Sequence, residues 1–524
     1  MADATLGEVG LTASGRMTRL EMLGLADDAH GLLDALVGLD QVEKAGVQID
    51  RATPLPGEEG AFFGRELESD RLADAFRRSR SAGGVTLVVC GEAGIGKTAL
   101  VRRFVEDLRP RGVTVAWGAG AANPRVPLGA WVDVVDHVVR ADPDAVDRLD
   151  PGDRQAIAGL FGRWPGTTPP EPRASAEGGR ERLFDALVHL LAAQADARPV
   201  VVVIDDVHLT PPSTRRMARR LAAANVPLLL IATVRTADPA VAGQLFDAPA
   251  SNTVFPDVVF LQGLGANEID RYLCHVAGTA RVGADAQRWL LDQTGGNPLL
   301  LGEMARVLVN HGTLDPDRAF DPPRAVQHSS DALLLTRLDG LAAGTVAALD
   351  AAAVLGPRFM ADDLAQLVDR AQWHLAEAVA AGLVVNGSEP GLMDFAHHLV
   401  HEAIYRTLPE GERLELHEAA GDALLQRHSE EGTPGRRGAM TDDPVFGVAR
   451  HHLVAASLDP SRAVDSLRAA AETSLDRFAF EDAAVRFEEA AGVAGRYTLG
   501  PVLCCELAIG RGDALRQAGR QDCT

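Results

Sequence analysis

Lysine is almost missing from this 524-residue chain: of 51 basic residues only Lys44 and Lys97 are lysines, and arginine supplies the rest. Basic charge as a whole is scarce, because 73 acidic residues leave a formal net charge of -22. Phosphate backbones and anionic membrane surfaces attract basic faces, so direct DNA binding by these residues is not expected. Long apolar runs are also missing. None approaches the roughly 18 residues of a membrane-spanning helix, and the opening MADATLGEVG has no basic segment followed by an apolar one. The expectation is a cytoplasmic protein without a membrane partner. The five cysteines (Cys90, Cys274, Cys504, Cys505 and Cys523) show no C-x-x-C spacing, so no zinc site or disulfide framework is indicated. There is no G-x-S-x-G elbow for a serine hydrolase. HHLVH does place His397 and His401 on one helical face, but a zinc hydrolase wants H-E-x-x-H, and HEAIY ends in tyrosine as HEAAG ends in glycine.

What is present begins with an ordinary globular composition, 46% hydrophobic and 24% charged, over a length that accommodates about three or four domains. Lys97 falls in GEAGIGKT at 91–98, and Gly91, Gly96, Lys97 and Thr98 fit the phosphate loop G-x-x-x-x-G-K-[ST]. The chemistry explains the residue types. Glycines let successive backbone N–H groups turn inward around a polyphosphate, and the helix that follows presents its positive dipole end. A compact ammonium reaches the β and γ phosphates where a planar guanidinium is too broad, and a threonine hydroxyl serves Mg²⁺. Gly91, Glu92, Ala93, Gly94, Ile95, Gly96, Lys97, Thr98 and Ala99 are therefore the expected nucleotide contacts. Context agrees: VTLVVC at 85–90 reads as a buried strand and ALVRRFVEDL at 99–108 as a helix.

Further apolar strand candidates are VTVAWG (113–118), PVVVVIDD (199–206), PLLLIATVR (227–235) and VVFLQGL (258–264). Near-continuous apolar strands imply a parallel sheet covered by helices on both faces. Residues 141–180, rich in Pro, Gly and Ala, read as a surface excursion before the helix ERLFDALVHLLAAQ. Asp205 and Asp206 end the PVVVVIDD strand, where ligands of open α/β sheets gather. Asp205 is the expected holder of the magnesium shell together with Thr98. Asp206, with Lys97, is the expected catalytic pair, its carboxylate orienting or deprotonating water. The guanine-reading Asn-Lys-x-Asp needs a lysine, and the spare one sits in VEKAG, so adenine is expected.

After residue 265 helical patterns dominate. EIDRYLCHVAG, AQRWLLDQTGG and PLLLGEMARVLVNHG suggest a small helical unit, AGLVVNGSEPGLMDFAH a short hairpin, and 456–495 paired helices of the tetratricopeptide type. The resulting division is 1–59, helical and without assigned function; 60–265, the nucleotide domain; 266–330; 331–425; and 440–524, a partial repeat array.

The order FFGRE (62–66), GEAGIGKT, ERLFDAL before VVVVIDDVH, ATVR, TGGNPL (294–299) and FAHHLVHEAIY (395–405) resembles the STAND class of P-loop ATPases. More narrowly it is similar to the LuxR-type bacterial ATPase regulators related to the maltose regulator, over about residues 60–520. The resemblance implies an α/β P-loop NTPase domain of AAA+/STAND type with a five-stranded parallel sheet, then a helical lid, a winged helix and a TPR-like sensor. It implies ATP and ADP as two positions of a switch reset by slow hydrolysis, with Arg65 beside the nucleotide, Arg235 sensing the γ-phosphate, Pro298 packing on adenine and His397 touching the ADP phosphates. An inducer or protein partner at the helical end and ATP-dependent self-assembly are the implied associations. Two features depart from the family. VHLTPPST follows Asp206 in place of a Trp-Ala-Asp run, which leaves a silent nucleotide-binding scaffold or inhibitory partner as the alternative function. No DNA-binding end follows the repeats.

Overall fold

The apolar runs become one parallel sheet. The computed structural model describes residues 62–519 apart from 82, 121–125, 162–175, 237–255, 280, 311–312, 315–319, 321–337, 339, 388–389, 397 and 431–443. The expected helices within 1–59 lie outside the described residues, as does His397. Strands β1 (Val85–Gly91), β2 (Thr114–Ala119), β3 (Val200–Asp205), β4 (Leu229–Arg235) and β5 (Asp257–Phe260) run in the order β2-β3-β4-β1-β5. All pairs are parallel. Helices α1 (Glu66–Ser81), α2 (Lys97–Leu108), α3 (Gly129–Ala141), α4 (Pro151–Phe161), α5 (Ala176–Ala197) and α6 (Pro212–Ala223) accompany it.

Alternation along each strand divides the core. Leu87, Val89, Val201, Val203, Leu229 and Ile231 join Leu72 of α1 and Leu100 and Phe104 of α2. Val88, Cys90, Val202, Ile204, Leu230 and Ala232 join Trp131 of α3, Leu187 of α5 and Met217 of α6. A strand buried on both faces has no polar position to spare, hence the unbroken apolar runs. The segment 141–180 is more than a surface excursion. It contains α4, whose Ile157 reaches the core beside Val146 and Leu149, and α5 starts five residues before ERLFDALVHLLAAQ. Three large apolar residues, Ile157, Leu160 and Phe161, crowded into the last half of the segment are too thin a periodic signal to announce α4.

The last strand stops at Phe260, short of the expected 264, although Leu261 N–H still donates to the Cys90 carbonyl at 2.8 Å. From there the chain enters α7 (Ala266–Ala277), α8 (Ala284–Thr294) and α9 (Pro298–Asn310), packed through Ile269, Leu273, Leu290, Leu301 and Leu308. Close backbone approach fastens this unit: Leu264 N–H donates to Gly296 O at 2.7 Å. A Cβ on Gly263 would lie 2.0 Å from the Gly295 oxygen, so no larger residue fits there without backbone movement.

Helices α10 (Ala343–Leu355), α11 (Ala361–Leu367), α12 (Ala371–Ala380) and α13 (His398–Thr407) accompany strands β6 (Arg358–Met360), β7 (Val384–Asn386) and β8 (Leu392–Phe395). The expected hairpin is β7 with β8, and β6 adds to the other side of β8, giving an antiparallel order β6-β8-β7. A three-residue strand is too short to show alternation, so β6 had no signal.

Helix α14 (Glu410–Glu430) leads to α15 (Pro444–Val454), α16 (Pro460–Asp476), α17 (Phe480–Arg496) and α18 (Pro501–Gln517). Alanines dominate their core, with Leu467, Phe487 and Leu507 filling between them, which allows the close antiparallel stacking of helical hairpins. Helix α17 also docks on the sheet domain. The Ser213 hydroxyl of α6 donates to Asp482, Arg216 Nη1 donates to Glu481 Oε1 at 2.6 Å, and the Arg180 guanidinium lies 5.2 Å from the Phe480 ring centre.

Candidate phosphate-binding site

Strand β1 hands directly into the loop, and the loop into α2. Gly91, Gly94 and Gly96 adopt φ of 153°, 74° and 98°, the left-handed region in which glycine is unstrained. Gly96 is the N-terminal cap of α2, and nothing lies within 4 Å of the position a Cβ would take there. Ile95 turns inward to the core while Glu92 and Ala99 are exposed, so the loop is anchored by one side chain and its backbone is left to face a ligand.

Lys97 is only 7% exposed, and its ammonium donates to Gly91 O at 3.0 Å and Glu92 O at 2.7 Å. Burial lowers its pKa, an effect opposed by Asp206 and Asp205 and reinforced by the positive charge of Arg235. An anion in the loop meets this charge at short range.

Thr98 Oγ1 lies 3.1 Å from both carboxylate oxygens of Asp205, tying α2 to the end of β3. The Thr233 hydroxyl also donates to Asp205 and accepts from the Asp206 N–H at 2.7 Å. Loss of hydration, with the neighbouring Asp206 adding to it, pushes the Asp205 carboxyl up to about 6. Two acids at a strand end beside a threonine hydroxyl form an all-oxygen donor set, the type that Mg²⁺ accepts alongside phosphate oxygens. The residues therefore fit the magnesium and triphosphate that the loop implies. VHLTPPST after Asp206 starts as a single 3₁₀ turn, Val207–Leu209, with Asp206 itself at φ 50°.

Arg235 ends β4 in register with Gly91. Its Nη1 donates to Glu402 Oε1 of α13 at 3.1 Å, and Arg406 donates to the other oxygen of Glu402 at 3.0 Å. Arg65 is buried against the outside of the loop, donating to Ile95 O at 3.1 Å and Gln262 O at 2.7 Å. It ties the loop, at Ile95, to the segment that follows β5, at Gln262. Pro298 opens α9, half-buried, and the preceding Asn297 donates to Ala93 O at 2.8 Å while its oxygen accepts from Leu299 N–H at 3.1 Å. His401 donates through Nε2 to the Ala353 carbonyl at 2.9 Å.

Thr233, Asn297 and Glu402 were not among the residues expected at the site. Thr233 had a signal, a lone hydroxyl in a strand otherwise apolar up to its closing Arg235. Asn297 sits in TGGNPL next to the residue that was singled out. Glu402 had none, because its partner is 167 residues away.

Residues 61–231 match the AAA ATPase domain family, a stretch that holds the loop, both acids and the first three residues of β4. An AAA-type ATPase domain is therefore the class that the fold and site define. Comparison with curated proteins gives no match. Among solved structures the chain is similar to a Signal Transduction ATPase with Numerous Domains (STAND) protein with a tetratricopeptide repeat sensor from Pyrococcus horikoshii. Identity is 15% over 91% of this chain, with a TM-score of 0.44, and the match spans 64% of that protein's length. Two Aeropyrum pernix proteins, ORC1 in complex with DNA and ORC2 in ADPNP–ADP complexes, are also similar, each at 15% identity and a TM-score of 0.30. They cover 66% and 73% of this chain and 93% and 98% of their own. Among the described residues no helix is long and apolar enough to cross a membrane.

Proposed function

We propose that residues 60–265 bind ATP with Mg²⁺ and hydrolyse it slowly, as the switch of a STAND-type signalling ATPase. The observation that carries this reading is Lys97 buried under a glycine loop with Thr98 held against Asp205. In this reading the loop amides and Lys97 hold the phosphates, and Thr98 and Asp205 hold Mg²⁺, which when bound withdraws charge from the phosphate oxygens. Asp206 orients a water and accepts its proton as the water oxygen bonds to the γ-phosphorus and the bond to the β-phosphate oxygen breaks, leaving ADP and phosphate.

The lid at 266–330 and the winged helix at 331–425 close over the nucleotide, and the helices at 440–524 receive an inducer or protein partner. Such a partner favours the ATP state only by binding it better than the ADP state. The closer assignment, the ATPase core of a LuxR-like regulator able to self-assemble with ATP, rests on the order of FFGRE, GEAGIGKT, TGGNPL and FAHHLVHEAIY. Phosphate release from purified protein tests the reading. Asp206→Asn is expected to slow it about 10²-fold with nucleotide binding retained. Equal release by both proteins would favour the silent scaffold, and ADP freed on denaturing the native protein would support the resting switch.

A further inference from the structure

Helix α13 meets the sheet domain at two points one turn apart, one over the loop and one at the end of β4. A Cβ on Gly94 would sit 3.2 Å from Leu399 Cδ1, so Leu399 lies directly over the loop. Glu402, three residues on and hence on the same helical face, reaches Arg235, which stands beside Gly91 and close enough to Lys97 for its charge to be felt there. The Arg235 and Glu402 side chains are 30% and 22% exposed, so their pairing is shielded from most of the solvent.

We propose that Glu402 occupies the guanidinium that a γ-phosphate needs, making it a specificity-determining residue that sets the preference for ADP over ATP. This rests on the nucleotide reading above. A γ-phosphate and the Glu402 carboxylate are both anions seeking the same planar donor, and the two repel each other if both are present. The guanidinium is half-buried, so the repulsion between two anions drawn to it is only partly screened. Arg406 already holds the second oxygen of Glu402, giving that carboxylate a partner after the exchange. ADP ends one phosphate short and leaves the pair intact. ATP must break it, and with it one attachment of α13 to the sheet domain.

The test is calorimetry on the full chain, stripped of nucleotide and supplied with Mg²⁺, against ADP and the β,γ-imido analogue of ATP. Glu402→Gln is expected to tighten the analogue about tenfold, equivalent to 1.4 kcal/mol, while ADP shifts less than about twofold. In an Arg235→Gln background the same change is expected to do nothing, because the contested donor is gone. A merely structural Glu402 would move both nucleotides together, and that outcome, or a gain that persists without Arg235, overturns the proposal. If the Gln variant does not unfold cooperatively, Glu402→Asp, which withdraws the carboxylate by one methylene, carries the same comparison. A wild-type chain that binds neither nucleotide defeats the nucleotide reading itself, an outcome distinct from a shift shared by both.

Discussion

Replacing Lys97 by methionine is expected to weaken adenine-nucleotide binding at least about hundredfold, the scale of about 3 kcal/mol that follows from losing a charge-assisted contact in a shielded site. Methionine keeps the apolar stem and removes only the ammonium. That ammonium has no ion-pair partner within 4 Å among the described residues and is bonded to two loop carbonyls. Burial already disfavours its charged form, so the nucleotide-free variant is expected to unfold within a few degrees of the parent, a shift of about 1 kcal/mol or less. Calorimetry with ADP and ATP, paired with thermal unfolding, separates the two effects. A variant that binds within about threefold of wild type, under 1 kcal/mol, would remove the loop from the function.

The second large effect concerns the docking of α17 on α6. Asp482 is 2% exposed and its carboxyl is pushed up to about 6 by burial, against an ordinary 3.8, with Ser213 and Arg486 opposing the shift. A carboxyl raised in the folded state binds more protons there than in the unfolded chain between those two values. Stability from this group therefore falls as pH rises from about 4 to about 6 and is level above that. Asp482→Asn removes the ionisation and keeps an oxygen to accept from Ser213. Relative to wild type, the variant is expected to gain about 2 kcal/mol between pH 4.5 and 7, on top of a pH-independent offset from the altered hydrogen bonds. Denaturant unfolding at the two pH values measures it. Asp205 and Asp350, also pushed up to about 6, are common to both proteins and cancel in the difference. A difference independent of pH would show that Asp482 is not held in this environment.

The sheet and the loop were legible in the residues because each rests on short-range chemistry. A glycine loop between a β-branched run and a helix has few other uses, and VVVVIDD carries both its burial and its acids in eight consecutive positions with Pro199. Arg65 lies against the loop, and Pro298 stands between two residues, Asn297 and Leu299, that approach it. Their immediate surroundings, the Ile95 and Gln262 carbonyls for Arg65 and a helix start for Pro298, depend on backbone atoms that no motif displays. Long-range pairings were invisible. Ser213 and Asp482 are 269 residues apart, and Arg235 and Glu402 are 167. Each is an ordinary surface-type residue until the fold brings it to its partner. Short elements such as β6 and α4 were missed for a related reason: tertiary packing, rather than local pattern, gives them their shape.

The scarcity of lysine gives the protein an unusual chemical handle. Of its two lysine side chains one lies at 7% exposure beneath a loop, so an acylating dye applied at mildly alkaline pH has Lys44 as its other lysine target. The rate at which residue 97 becomes labelled then reports how often the loop opens, without any engineered probe.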